Sequence, residues 1–195
     1  MEERGRLRMR WWIVPAAFSA FSLAAAVLTA VASSLAASFA LRSSPDLVAA
    51  RPSTLVLHFL LLPGGWGVIW NCLVCVLASR LLSGAISQTR QAILMIVGAY
   101  VGATVFVLLR TDEFFGGPGL MVWSLAGAVA LHGCWRWSDQ TVAWRAFIVV
   151  CIAAGVLTLL GGTSAGKAQF AAWATGLVMA FGWLSPDMNV QDEAA

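Results

Sequence analysis

Six long apolar runs, each separated from the next by a short polar or charged stretch, organise the chain. Read against the roughly 20 residues that a helix needs to cross a hydrocarbon core, they predict helices over about 12–33, 66–82, 92–110, 118–134, 145–160 and 168–184. Residues 34–57 are a semi-apolar linker between the first two. Within "STLVLHFLLLPGGWG" the break Pro63-Gly64-Gly65 stops the second helix from extending backwards. Residues 54–62 are therefore expected as a short element that dips towards the bilayer. The predicted fold is all-α: a membrane bundle of six transmembrane helices.

Composition supports that reading. Apolar residues make up 60% of the chain and charged residues 11%, proportions that do not suit a soluble domain of this length. The net charge of +3 comes from arginines spread along the sequence. No continuous basic stripe forms, so nucleic acid is not expected as a partner. The start, "MEERGRLRMRWWIVPAAFSAFSLAAAVLTAVASS", has the order of a secretory signal. Its apolar run exceeds the roughly 7–15 residues of a signal core, so it is read as a retained first helix.

Charge also predicts orientation. Six spans leave both termini on one side, with Arg4, Arg6, Arg8, Arg10, Arg80, Arg90, Arg136 and Arg145; the other side holds Arg42, Arg51, Arg110 and Lys167. The excess of basic residues puts both termini in the cytoplasm. Trp11, Trp12, Trp135, Trp137, Trp144 and Trp183 then form a belt at the cytoplasmic interface. The domain reading is a basic cytoplasmic N-terminus (1–11), one membrane domain (12–184) and a short acidic cytoplasmic tail (185–195). No internal repeat is visible.

Familiar chemical motifs fail on their contexts. "GGTSAGKA" (161–168) nearly matches a phosphate-binding loop, but Ala168 replaces the magnesium-holding hydroxyl and a helix replaces the preceding strand. It is read as a polar turn, and no nucleotide is expected. Cys72 and Cys75 form C-x-x-C without a second pair, and His58 and His132 lie far from each other in sequence. No metal and no other cofactor is expected. Cys134 and Cys151 complete the set of four thiols, all read as packing groups. Small residues recur as Ala172-x-x-x-Gly176 and from Gly119 to Gly127, a pattern that lets membrane helices approach closely.

Around these small residues the sequence resembles the rhomboid family of intramembrane serine proteases. "GPGLMVWSLAG" fits the G-x-S-G frame of that family's fourth helix, with Gly117 and Gly127 in place and Gly119 at the serine position. "AQFAAWATGLVMAF" fits its sixth helix, with Gly176 retained and Gln169 at the histidine position. "GVIWN" fits the H-x-x-x-N element of the second helix: Gly67 replaces the histidine and Asn71 remains. His58 has the spacing of a further histidine common in the family. The family's Trp-Arg element of the first loop is absent, with Arg51 nearby. The resemblance covers about residues 54–184.

The resemblance implies a protease frame that has lost its catalytic pair. Glycine offers no nucleophile, and Gln169 cannot take up a proton near neutral pH. Ser124 lies about 7–8 Å along the helix from Gly119, and His132 about 20 Å. No catalytic residue is expected, and Gln169 is expected either to hydrogen-bond to the fourth helix or to Asn71, or to contact a water-filled cavity. Inactive members of the family bind transmembrane clients and influence their trafficking or stability. The implied function is therefore non-catalytic binding of another transmembrane protein within the lipid bilayer. The alternatives are a structural or assembly subunit of a larger membrane complex and, more weakly, a residual protease or a transporter. A multi-pass protein of a bacterial plasma (inner) membrane is expected. The client helix would approach between the second and fifth helices.

Overall fold

The computed structural model describes residues 12–32, 38–61, 65–111 and 113–184. The basic N-terminal stretch with Trp11, the break at Pro63 and Gly64, and the acidic tail lie outside these residues. Among the described residues there are six long helices: α1 (Ile13–Val31), α4 (Gly65–Leu82), α5 (Gln88–Leu108), α6 (Gly119–Trp135), α7 (Val142–Leu160) and α8 (Ser164–Leu184). Between α1 and α4 lie a two-residue strand β1 (Leu41–Arg42), the short helices α2 (Pro45–Ala50) and α3 (Thr54–Leu57), and a 3-10 turn at His58–Leu60. Strand β2 (Phe114–Phe115) precedes α6 and pairs antiparallel with β1, Leu41 opposite Phe115 and Arg42 opposite Phe114.

Three of the long helices, α1, α5 and α7, are long and apolar enough to cross a membrane, and α4 and α6 contain shorter apolar stretches. Leucine, valine, isoleucine and tryptophan side chains stand exposed along α1, α4, α5 and α7, among them Val31, Trp66, Leu108 and Leu157. Apolar surface of this extent suits lipid rather than water. These features identify a helical membrane protein.

Helices α5, α7 and α8 begin about one turn earlier than the apolar pattern suggests. The first turns of α5 and α8 are polar, but caps hold them in the helix. Ser87 Oγ accepts the Arg90 backbone N–H at 3.3 Å ahead of α5. Thr163 Oγ1 accepts the Gly166 N–H at 3.0 Å at the start of α8. Each satisfies a backbone donor that the helix leaves open. The run 161–168 is accordingly not a polar turn throughout: the turn ends at Thr163, with Gly162 at φ +69°, and Ser164 onwards is helix. The linker also holds more structure than expected, namely β1, α2 and α3. It is tied down by the Ser43 hydroxyl, which accepts the N–H groups of Thr111 and Glu113 and contacts Thr111 Oγ1 at 2.9 Å. Thr111 Oγ1 in turn meets Ser164 Oγ at 2.9 Å, joining the linker, the loop before β2 and the start of α8.

Helix α6 is the centre of the molecule. Ten of its seventeen residues are buried, whereas α7 buries three of nineteen. It packs against α4, α5, α7 and α8. Glycines make the tightest contacts possible. A Cβ on Gly127 would overlap the Trp173 carbonyl of α8, and one on Gly176 would overlap the Ser124 carbonyl of α6. Ala172 of the expected small-residue face instead meets Gly102 of α5. Helix α7 is held by Trp173, whose indole lies against Gly155 and whose Nε1 donates to the Cys151 carbonyl at 3.1 Å.

Candidate functional site

The segment "GGPG" (116–119) leads into α6 and is pressed against the end of the 3-10 turn. Gly117 has φ +105°, which glycine adopts without strain, and its N–H donates to the His58 carbonyl at 2.7 Å. A Cβ on Gly117 would lie 2.8 Å from the Leu61 carbonyl oxygen, and one on Gly116 would lie 2.6 Å from Leu61 Cβ. Two glycines are therefore required for this approach. Gly117 belongs to this turn and not, as expected, to a helix–helix contact; its positive φ precedes the helix.

The third glycine differs. Gly119 opens α6, and the nearest atoms to a Cβ built there are Asn71 Nδ2 at 3.5 Å and Oδ1 at 3.9 Å. The structure thus brings together Asn71 and Gly119, two of the four positions that the family resemblance singles out. Space for a side chain faces an amide able to donate and accept hydrogen bonds. Gly67 is not part of this group: it is exposed, with nothing within 4 Å of a Cβ. One turn before Asn71 on α4, it shares that residue's side of the helix but opens onto unfilled space. Gln169 sits half-buried on α8 next to Ala168, whose carbonyl meets Gly102 alongside the Leu120 side chain. Gln169 and Gly119 are thus each one residue from that contact. The expected hydrogen bond from Gln169 to α6 or Asn71 is not formed, and Gln169 has no partner among the described residues.

Beside Asn71 a cavity of about 30 Å³ opens between α4, α6 and α7. Its walls include Trp70, Asn71, Trp123, Phe147, Val150 and Cys151. It can hold a single small group against an apolar wall with one polar atom set. Helices α4 and α7 each pack on α6 and flank this gap. Val150 is 45% exposed and faces outward, whereas Val74 is 6% exposed and packs inward. Helix α4 is apolar on every side, so nothing in its pattern marks the inward face.

The remaining hydroxyls and imidazoles are occupied elsewhere. Ser124 is buried and donates to the Met121 carbonyl at 2.8 Å, and Ser164 belongs to the Thr111 contact. His58 is fully buried; its Nδ1 lies 3.0 Å from the Thr54 carbonyl, and its Nε2 has no partner among the described residues. Burial pushes the His58 imidazole down to about 4, against the lesser pull of the Thr54 and Leu55 backbone. Cys75 is buried and Cys72 half-buried. What sequence reasoning missed is the pairing of Leu61 with Gly116 and Gly117, which the excess of glycine in that turn could have signalled. Compared with known proteins, the chain matches no protein-family model and no curated protein.

Proposed function

We propose that the chain is a rhomboid-like membrane protein without protease activity, which binds another transmembrane protein beside the gap between α4 and α7. The observation that carries this reading is Gly119. It stands at the head of α6 facing the Asn71 amide, where a nucleophile would need a hydroxyl, and it has only hydrogen to offer. In this reading all six long helices cross a bacterial plasma membrane and both termini are cytoplasmic. The opening flanked by Trp70 and Val150, both more than 40% exposed, receives an apolar helix from the bilayer. Contact there depends on shape and packing, because lipid offers no hydrophobic drive between helices.

A second reading is a fixed subunit of a larger membrane complex. It is favoured by the tryptophans on the outer surface, with Trp66 84% exposed and Trp12 55% exposed. Photo-crosslinkers at Trp70, Leu73 and Val150, followed by purification in mild detergent, separate the two. Several single-span proteins captured in substoichiometric amounts support client binding. One stoichiometric assembly, crosslinked through α1 and residues 135–144, supports the subunit. Labelling of the purified protein by a fluorophosphonate probe, lost in Ser124→Ala or Ser164→Ala, would overturn both in favour of an enzyme.

A further inference from the structure

An open pocket in the linker region lies away from Asn71, where β1, α2 and α3 meet. It encloses about 420 Å³, and its lining includes Arg42, Arg51, Ser38, Thr54, Leu47 and Val48. That volume falls within the roughly 300–1,000 Å³ of small-ligand sites. Among the described residues the lining includes two arginines and no acidic residue. Asp46 on α2 and Glu113 before β2 form no ion pair with either arginine among the described residues.

Both arginines are rooted in structure. Arg42 is paired with Phe114 through β1 and β2, and its guanidinium carbon lies 4.5 Å from the centre of the Phe114 ring. Stacking covers one face of the guanidinium and leaves its N–H edge open for in-plane hydrogen bonds. Arg51 closes α2, its N–H donating to the Leu47 and Val48 carbonyls, while Thr54 Oγ1 donates to the Arg51 carbonyl at 2.8 Å. The carbonyls of Leu47, Val48 and Arg51 at this helix end are thereby engaged.

Its level in the molecule selects the ligand. The 3-10 turn that follows α3 packs on α1, with Thr29 Oγ1 of the last turns of α1 donating to the Leu60 carbonyl at 3.5 Å. At about 1.5 Å per residue, the nineteen residues of α1 match the roughly 30 Å hydrocarbon core. A pocket beside its end lies at headgroup depth. The apolar side chain of Leu47, 44% exposed, lines it together with Val48.

We infer that this pocket binds a phosphate group between Arg42 and Arg51, presented by the headgroup of an anionic phospholipid whose acyl chains lie along Leu47. Paired arginine forks suit phosphate oxygens, and the apolar rim suits the chains. The inference is independent of the partner-binding reading above. It requires only that α1 lies in a bilayer.

The test titrates the purified full chain in mild detergent with short-chain phosphatidylglycerol, with diacylglycerol of the same chains, and with inorganic phosphate. Native mass spectrometry reads bound ligand. Phosphatidylglycerol is expected to bind at least about tenfold more tightly than diacylglycerol, the loss of a charge-assisted contact. Arg42→Gln combined with Arg51→Gln should erase that preference, while Lys167→Gln, outside the pocket, should leave it unchanged. If the double variant loses its melting transition, Arg51→Gln alone serves, with a smaller loss in the same direction. Inorganic phosphate that binds with the same arginine dependence while phosphatidylglycerol does not would keep the phosphate site and reject the lipid as its source. Equal binding of phosphatidylglycerol and diacylglycerol, or a preference untouched by the arginine changes, would overturn the inference.

Discussion

Glycines in this protein do two different jobs, and substitution should tell them apart. At Gly127 and Gly176 the facing atoms are backbone carbonyls, which cannot rotate away. Gly127→Leu and Gly176→Leu should each destabilise by roughly 1–3 kcal/mol or more through overpacking. Trp12→Phe, at an exposed position, should be mild, and melting in detergent ranks the three. Equal melting temperatures would mean that α6 and α8 do not touch as described. His58 gives a second residue-scale expectation. The unfolded chain takes up a proton near pH 6.5 and the folded chain only near 4. Stability from the neutral imidazole is therefore complete above pH 6.5 and lost progressively as pH falls towards 4, roughly 2 kcal/mol of it by pH 5. Melting at pH 7 and pH 5 measures this drop, and His58→Gln should flatten it.

At the scale of elements, the long helices were legible because charged and glycine-rich breaks separate the apolar runs. The ends of α6 and α4 fall within a residue or so of the sequence reading. Faces were not legible. In lipid both the packed and the exposed sides of a helix are apolar, so Val74 and Leu73 look alike in sequence although one is buried and the other 48% exposed. Small residues were the usable signal, and they located the Gly127 and Gly176 contacts. They misplaced Gly117, because a positive φ in a turn and a close helix contact both call for glycine. Of the site, Asn71 and Gly119 are joined, while Gln169 has no bond to them. The two-residue strands were invisible for lack of any periodicity, and the Ser43 hydroxyl that secures them reads as an ordinary loop serine. Ser43→Ala should leave the N–H groups of Thr111 and Glu113 without this acceptor, costing about 1–3 kcal/mol. Hydrogen exchange at those two amides should quicken while α6 remains protected; unchanged exchange at both would remove the serine from this role.

For the whole molecule, the distribution of burial sets where movement is easiest. Helices α5, α6 and α8 form a glycine-sealed centre, and α7 rests on it with most of its surface exposed. Partner contacts should therefore fall on α7 and the adjoining face of α4. Crosslinkers at Val150 should capture more partner than crosslinkers at Leu23 on α1, although Leu23 is more exposed. The reverse ranking would remove the gap from the proposed function. Topology offers an independent check on the six-span arrangement. Reporter fusions after Arg10, within 136–144 and after Asp187 should score cytoplasmic, and those within 42–52, 111–116 and 162–167 external. One inverted loop would break the proposed arrangement, because each span fixes the side of the next.

The 3.5 Å between Asn71 and a Cβ on Gly119 is an ordinary van der Waals distance. The position has room for a side chain, in contrast to sealed Gly127, about two turns further along α6. A small hydroxyl residue could return to it with little repacking. The fold thus leaves steric room for one small side chain beside the Asn71 amide, while the sealed glycines hold the surrounding helices in place.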